Sequence, residues 1–176
     1  SSAPLRGKKG SEYEGGVRVP FIAAWAKPDA KNKFQKKYPI AQNAVQLQQG
    51  TVMDLYPTIL SVAHVKPPKH YALDGADLKK LFQGKEDKKH RDDFLMHFPH
   101  GDHRANYFTT YRKGDWKLIY YYHPETTGIP TWKLYNLKDD PYEKTEVSAE
   151  YPEKTASMIE QMKDRLKEEN ALYPEE

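Results

Sequence analysis

The sequence predicts an α/β segment in its first half, followed by a four-stranded antiparallel sheet packed on a C-terminal helix. Residues 17–25 form a nearly continuous apolar run with Val, Phe and Ile, as expected of a strand buried in an α/β sheet. Four later stretches rich in aromatic and β-branched residues, separated by Gly, Asp and Pro turns, predict the antiparallel sheet. In residues 151–172 apolar side chains recur at helical spacing, which predicts the final helix.

The first half contains three further predicted elements and ends in a linker. These elements are a second strand at residues 45–49, a helix at residues 53–63 and a short helix at residues 75–82. Pro57 falls in the first turns of the longer helix, where a missing N–H group costs little. Residues 83–93 are rich in Lys and predict a charged linker. We therefore expect two parts, residues 1–85 and residues 86–176.

The second half contains the sheet and the helix. Its four predicted strands span residues 94–98, 107–112, 116–122 and 132–137. The three consecutive tyrosines of residues 120–122 could stack on sugars or present an aromatic surface. We expect them to pack within the sheet, because large aromatic side chains supply much of the burial in small sheets. In the last helix, Met158 and Met162 are expected to fill the core rather than to contact a ligand.

The composition excludes several classes of protein. With 28 Lys and Arg against 25 Asp and Glu, the net charge of +3 is too small for a nucleic-acid-binding footprint. The chain has no cysteine, which excludes a disulfide framework and any thiolate metal site. Since no apolar run is long enough to cross a bilayer, we expect no membrane span.

Residues 5–20 hold the densest group of functional residue types. Their glycines allow a backbone to approach a ligand closely. Lys8 or Lys9 supplies an ammonium group and Arg18 a guanidinium group, and both suit the oxygens of a sulfate or a phosphate. The alternative is a solvated basic loop that merely precedes a strand, since charge runs usually face water.

The order of this stretch, L-R-x-x-K-G-x-x-Y-E-G-G-x-R-x-P, resembles the second conserved block of the sulfatase family, in the alkaline-phosphatase-like superfamily. Four further stretches are similar to later blocks of that family: residues 53–60, 73–78, 114–119 and 134–143. The resemblance implies that residues 1–85 are the C-terminal segment of an alkaline-phosphatase-like α/β sulfatase domain. It also implies that the complete protein hydrolyses sulfate esters, those of a sulfated glycan above all.

By position, the resemblance assigns the family's catalytic lysine to Lys9. That lysine contacts the sulfate and helps to neutralise charge on the leaving ester oxygen. Lys8 is a departure from the family, because related sequences commonly have glycine there. We therefore expect Lys9, rather than Lys8, to contact the sulfate.

The family's other catalytic groups are expected outside this chain. The resemblance implies a formylglycine nucleophile, made from Cys or sometimes Ser, and a calcium ion bound by Asp, Asn or Gln side chains. It places both on segments N-terminal to the Lys9 block, so no metal ligand is assigned here. We expect this chain alone to be inactive, with the N-terminal part of the same sulfatase as its partner. Family analogy favours a periplasmic, secreted or lysosomal protein.

A second candidate site lies in residues 97–104, which gather three histidines and an arginine after a predicted strand. The resemblance puts this loop at the mouth of the active site, where His97, His100 and Arg104 would bind the rest of a sulfated small molecule or glycan. A zinc site is an alternative. The spacing of the histidines does not favour zinc, because Pro99 and Gly101 break any helix and His97 and His100 then need not lie on one face. An ordinary surface turn is the structural alternative.

Two other functions remain open at this point. A hydrolase of the same superfamily that acts on phosphate monoesters or diesters would also use a lysine to hold its anion. A non-catalytic module could instead bind a sulfated glycan through the antiparallel sheet and the histidine loop. A formylglycine nucleophile upstream would indicate a sulfatase, whereas a Thr or Ser with zinc ligands would indicate the phosphate-ester hydrolase. Binding of a sulfated glycan by this chain alone would indicate the non-catalytic module.

Overall fold

The structure is a computed structural model that describes residues 2–100 and 106–174. Within these residues the helices are Glu14–Val17 (α1), Lys33–Lys37 (α2), Leu55–Ala63 (α3), Lys79–Phe82 (α4), Pro124–Thr127 (α5) and Pro152–Glu168 (α6), with a 3₁₀ turn at Val52–Asp54. The strands are Asp93–Phe98 (β1), Phe108–Lys113 (β2), Trp116–Tyr121 (β3) and Trp132–Asn136 (β4). All four predicted strands and the final helix are thus confirmed.

The chain forms two compact units. Residues 1–20 and 93–176 make up one, which we call the sheet unit, and residues 21–92 make up the other, which we call the helical unit. The first twenty residues therefore group with the sheet, although 72 residues of sequence separate the two segments of this unit. The expected division of the complete protein at residue 85 stays a prediction.

The sheet is a simple antiparallel meander in the order β1-β2-β3-β4. Phe108 pairs with Phe98 on one side and with Tyr121 on the other, so the register is continuous across three strands. The turn between β2 and β3 places Gly114 at a φ of 55°, a conformation that favours glycine. Alternate side chains of each strand project to opposite faces, and both faces are covered.

One face of the sheet packs against α6, and we call it the helix face. Its core combines six buried side chains: Tyr111, Leu118, Leu134, Met158, Met162 and Leu166. The spacing of Met158, Met162 and Leu166 puts them on one side of α6, as the sequence predicts. Each such side chain contributes about 1.5–3 kcal/mol when buried.

The opposite face packs against side chains of residues 6–14, and we call it the loop face. Tyr13 lies against a cluster of five buried residues: Phe108, Ile119, Tyr121, Tyr135 and Leu137. The rings of Tyr13 and Tyr135 meet edge to face with their centroids 6.3 Å apart. Residues from the start of the chain therefore complete the core of the sheet unit.

The two strands predicted in the first half are wrong. Neither residues 17–25 nor residues 45–49 form a strand, and neither segment pairs with any of the four strands of the sheet. Their apolar side chains are largely exposed, with Ile22 at 90% and Leu47 at 88%. Within the described residues the antiparallel sheet forms as predicted, and these two segments add no strand to it.

The helical unit has a small core and several polar contacts. Its helix α3, with Pro57 in the first turn, confirms the prediction for residues 53–63. Buried Asp54 accepts hydrogen bonds from the backbone N–H groups of Thr51 at 2.7 Å and Ala76 at 2.8 Å. Only the end of the segment predicted as a short helix is helical, in α4. Within the described part of the chain, no helix has both the length and the apolarity that a membrane crossing requires.

Candidate functional site

Lys9 lies at the exposed tip of a tight turn. The turn is bounded by Gly7 and Gly10, whose φ angles are 83° and 88°. Inside it, the Ser11 N–H donates to the carbonyl oxygen of Lys8 at 2.9 Å, and the Lys8 N–H donates to Ser11 Oγ at 3.2 Å. Lys9 is exposed, and among the residues that the structure describes none bonds to its ammonium group. We call residues 7–13 the Lys9 loop.

The two ends of the Lys9 loop are held together by backbone contacts. The Gly15 N–H donates to the carbonyl oxygen of Arg6 at 2.7 Å, which closes the neck of the loop. A Cβ atom on Gly15 would lie 2.7 Å from the Gly7 carbonyl oxygen, and one on Gly16 would collide with the Ser11 carbonyl. The double glycine is thus required by the close approach of the backbone.

Three charged side chains meet beneath this loop, buried between it and the sheet. Lys117 Nζ lies 2.8 Å from Glu143 Oε1 and 3.1 Å from Glu14 Oε1. The side chains of Lys117, Glu14 and Glu143 are only 2%, 3% and 0% exposed. The Glu14 N–H also donates to Glu143 Oε2 at 2.7 Å. Arg112, partly exposed, adds a second positive charge 3.5 Å from Glu14.

Arg6, which precedes the Lys9 loop, also bonds to Glu143. Its guanidinium donates to the backbone carbonyl of Glu143 at 2.7 Å and to the Tyr135 hydroxyl at 3.3 Å. The guanidinium carbon also lies 3.9 Å from the centre of the Tyr13 ring, a cation–π contact. Glu143 itself has a φ of 55°, which turns its backbone so that both its carbonyl and its carboxylate are used.

Burial raises the pKa of two groups beneath the loop, the Glu143 carboxyl and the Tyr121 hydroxyl. Burial raises the pKa of Glu143, while the Lys117 ammonium opposes this shift. The Tyr121 hydroxyl donates to Glu12 Oε1 at 2.7 Å. Burial and the negative charge of Glu12 raise the pKa of Tyr121, so this hydroxyl remains a donor at neutral pH.

The predicted substrate-binding residues are placed differently from one another. His97 is half-buried and uses both ring nitrogens inside the protein: Nε2 donates to the Leu172 carbonyl at 2.6 Å, and Nδ1 lies 2.7 Å from Thr109 Oγ1. A substrate contact by His97 would compete with these bonds. His100 is exposed, and its ring lies edge to face with Phe98, 5.5 Å away. Arg104 lies outside the described residues.

No metal site is formed by the described residues, where no group of three or more His, Asp or Glu side chains is suitably placed. The sequence has no cysteine to be converted into formylglycine. The position of the family's formylglycine nucleophile and calcium ligands, on segments N-terminal to the Lys9 block, stays a prediction.

Sequence reasoning missed Lys117 and Glu143. Lys117 alternates with Trp116 and Leu118 in β3, a pattern that suggests that the lysine faces solvent. It does not, because the loop face, on which Lys117 lies, is also covered. One signal was available, because a strand with aromatic and aliphatic residues on both sides of its pleat is buried on both faces. A charged residue within such a strand requires a buried partner of opposite sign.

The comparisons with known proteins decide the family. Residues 8–171 match the family described as N-sulphoglucosamine sulphohydrolase, C-terminal. The chain belongs to this sulfatase family. A sulfatase of Formosa agariphila is 34% identical over 95% of the chain, and human N-acetylgalactosamine-6-sulfatase is 32% identical over 62%. The resemblance drawn from the sequence motifs is thereby confirmed.

Solved sulfatase structures agree with this assignment. Ps i-CgsB, determined in complex with k-i-k-neocarrahexaose, covers 92% of the chain with a TM-score of 0.66 and 27% identity. BT4656, determined with its substrate D-glucosamine-2-N,6-O-disulfate, covers 73% with a TM-score of 0.60 and 25% identity. The chain spans only 29% of the Formosa protein, 20% of the human one, and 32% and 26% of these two structures. It thus corresponds to between a fifth and a third of each relative.

Proposed function

We propose that this chain is the C-terminal part of a sulfatase that hydrolyses sulfate esters of a glycan. The family match and the relatives support the reaction class. One structural relative is described with its substrate D-glucosamine-2-N,6-O-disulfate and another in complex with k-i-k-neocarrahexaose, and both ligands support a sugar as the carrier of the sulfate. The nucleophile and the calcium ligands belong to other parts of the complete protein.

The observation that carries this proposal is the exposed ammonium group of Lys9 on a loop that is fixed at both ends. Hydrolysis breaks the bond between sulfur and the ester oxygen, and that oxygen takes the electron pair. An ammonium group held beside the oxygen stabilises the charge as it develops, and this stabilisation is greatest when the group is already in place. Lys9 acts as a positioned charge and keeps its proton.

The chain also contributes to recognition of the rest of the substrate. His100 lies two residues after the end of β1, and Arg104 follows four residues later in the sequence. An imidazole and a guanidinium suit sugar hydroxyls or a second sulfate. Both ring nitrogens of His97 are already bonded, so a contact of His97 with the substrate would have to replace one of these bonds. We expect His100→Ala to raise KM for a glycan substrate while leaving kcat nearly unchanged, because this contact is made equally in the ground and transition states.

The rest of the same sulfatase is the proposed partner of this chain. Several large apolar side chains of residues 19–65 are exposed, including Val19, Ile22 and Leu47. An apolar surface of this kind is suited to burial against another part of a protein. The chain alone is expected to have no sulfatase activity, since it lacks the nucleophile.

The test compares Lys9→Ala with Lys8→Ala in the complete protein, using 4-nitrophenyl sulfate and, beside it, 4-nitrophenyl phosphate. Lys8 is a matched control, since it is the adjacent lysine of the same exposed turn. We expect Lys9→Ala to lower kcat for the sulfate ester by on the order of 10²-fold or more, and Lys8→Ala to have little effect. Full activity of Lys9→Ala would contradict the assignment, and a preference for the phosphate ester would contradict the reaction class.

A further inference from the structure

A single residue, Glu143, holds both ends of the Lys9 loop. Its backbone carbonyl accepts the hydrogen bond from Arg6, the residue before the loop. Its carboxylate accepts the hydrogen bond from the N–H of Glu14, the residue after the loop. Lys117 then pairs with the carboxylates of Glu143 and Glu14, so that one lysine of β3 joins both.

This arrangement is not the simplest way to stabilise the loop face. Removing charges from water is costly, and well-packed apolar side chains of similar volume often stabilise a core as well or better. What the charged groups provide is direction, because a hydrogen bond or an ion pair fixes the relative positions of its two groups. In this protein the bonds to Glu143 fix the positions of Arg6 and Glu14, the residues on either side of the Lys9 loop.

We propose that Glu143 and Lys117 are positioning residues of the active site, which hold the Lys9 ammonium group at the leaving oxygen of the sulfate ester. This proposal rests on the proposed function of Lys9. Neither residue touches the substrate. They act through the loop, whose internal turn and closed neck transmit the position of its ends to its tip.

The main test is Glu143→Asp in the complete sulfatase. Aspartate keeps the negative charge and tolerates the positive φ of this position, but its carboxylate is one methylene shorter. The bond to the Glu14 N–H and the pair with Lys117 are then both displaced. We expect kcat to fall about tenfold with little change in KM, since misplacing a catalytic group affects mainly the transition state.

Met162→Ala provides the matched control. Met162 is fully buried, but it lies in the core of the helix face, away from the Lys9 loop. Both variants are assayed at a temperature below their unfolding transitions. We expect Met162→Ala to keep kcat close to that of the wild type although it is less stable. Equal losses of kcat in the two variants, or no loss in Glu143→Asp, would overturn the proposal.

A double-variant cycle with Lys9→Ala separates this proposal from the function on which it rests. If Glu143 acts through Lys9, Glu143→Asp causes no further loss of kcat once Lys9 is alanine. A further tenfold loss would overturn positioning while leaving the role of Lys9 intact. Full activity of Lys9→Ala by itself would overturn the role of Lys9, and positioning with it.

Hydrogen exchange supplies a measurement that does not depend on activity. Exchange of the amides of residues 7–13 is followed in the complete protein for the wild type, Glu143→Asp and Met162→Ala. We expect faster exchange in this segment for Glu143→Asp alone. If Glu143→Asp does not fold, Glu143→Gln replaces it. Glutamine keeps the side-chain length, removes the charge that pairs with Lys117 and exchanges one acceptor oxygen for an NH2 donor. Unchanged exchange and unchanged kcat in that variant would overturn the proposal.

Discussion

The two faces of the sheet are covered by different means. On the helix face, α6 adds Met158, Met162 and Leu166 to a core made of apolar and aromatic side chains. On the loop face, a tyrosine-rich core lies beside the buried charges of Glu14, Lys117 and Glu143. Apolar packing tolerates small displacements, whereas hydrogen-bonded ion pairs fix positions. The helix face therefore serves mainly stability, and the loop face also sets the geometry of the Lys9 loop.

The largest effect is expected for Lys117→Met on the loop face. The variant removes the one buried ammonium between two buried carboxylates, and breaking a buried pair in this way costs about 3–5 kcal/mol. Urea unfolding of the chain measures the loss in free energy of unfolding. Lys113→Met, at an exposed position of β2, is the control and should change it by less than about 0.5 kcal/mol. Small and similar losses in free energy of unfolding for the two variants would show that the buried charges of the loop face contribute little to stability.

On the helix face, Met162→Ala tests the apolar half of the comparison. The expected loss in free energy of unfolding is about 2–5 kcal/mol, from lost burial and the cavity left behind. Glu160→Ala, on the exposed side of α6, is the control, because its ion pair with Lys163 is exposed and contributes little. A loss below about 1 kcal/mol in Met162→Ala would mean that the sheet does not depend on α6 for stability.

A smaller effect is expected for His97→Ala at the edge of the helix face. The variant removes the hydrogen bond to the Leu172 carbonyl and the contact with Thr109. Thr109 keeps the Tyr122 hydroxyl as a partner, so the loss should be about 1 kcal/mol. Amide hydrogen exchange of residues 171–173 should become faster, because their hydrogen bond to β1 is lost. Unchanged exchange would show that His97 does not hold this segment.

The smallest effect concerns Glu146, which lies outside both cores. Burial alone would raise the pKa of Glu146, but hydrogen bonds from the N–H groups of Leu134 and Ser148 outweigh it and lower the pKa. A lowered folded pKa gives stability that is present above the unfolded value of about 4.3 and is lost as the pH falls through the folded value.

Glu146→Gln should therefore reduce stability at pH 7 by less than about 1 kcal/mol, because this carboxylate is exposed and screened. The difference from the wild type should shrink as the pH falls below 4. Urea unfolding at pH 7 and at pH 3 measures it. A difference that grows toward low pH would contradict the assigned direction of the pKa shift.

Local patterns were enough to predict the sheet and α6. Residues 93–98, 108–113, 116–121 and 132–136 are short, aromatic and bounded by turns, and each pairs with its neighbour in the sequence. Helical spacing in α6 needs only one partner surface. By contrast, the apolar run at residues 17–25 predicted a strand that does not form, because a strand also needs a second strand to bond to, and that requirement is invisible in the run itself.

The sequence predicts the Lys9 loop from its motif, but it does not predict the buried residues Lys117 and Glu143 that contact the ends of the loop. The order of glycines, lysines and Glu14 points to the Lys9 loop from local sequence alone. The roles of Lys117 and Glu143 depend on contacts across more than 100 residues of sequence, from Glu14 to either partner. No local pattern gives a pairing of that length, and only the fold brings these side chains together.

The most direct test of the role of Lys9 is a crystal structure of the complete protein with sulfate or a sulfated sugar in its active site. We predict that Lys9 Nζ lies within hydrogen-bonding distance of a sulfate oxygen, about 2.7–3.2 Å, with Glu143 and Lys117 paired beneath the loop. A sulfate bound by Lys8 instead, or bound with the Lys9 loop turned away from it, would contradict the central claim.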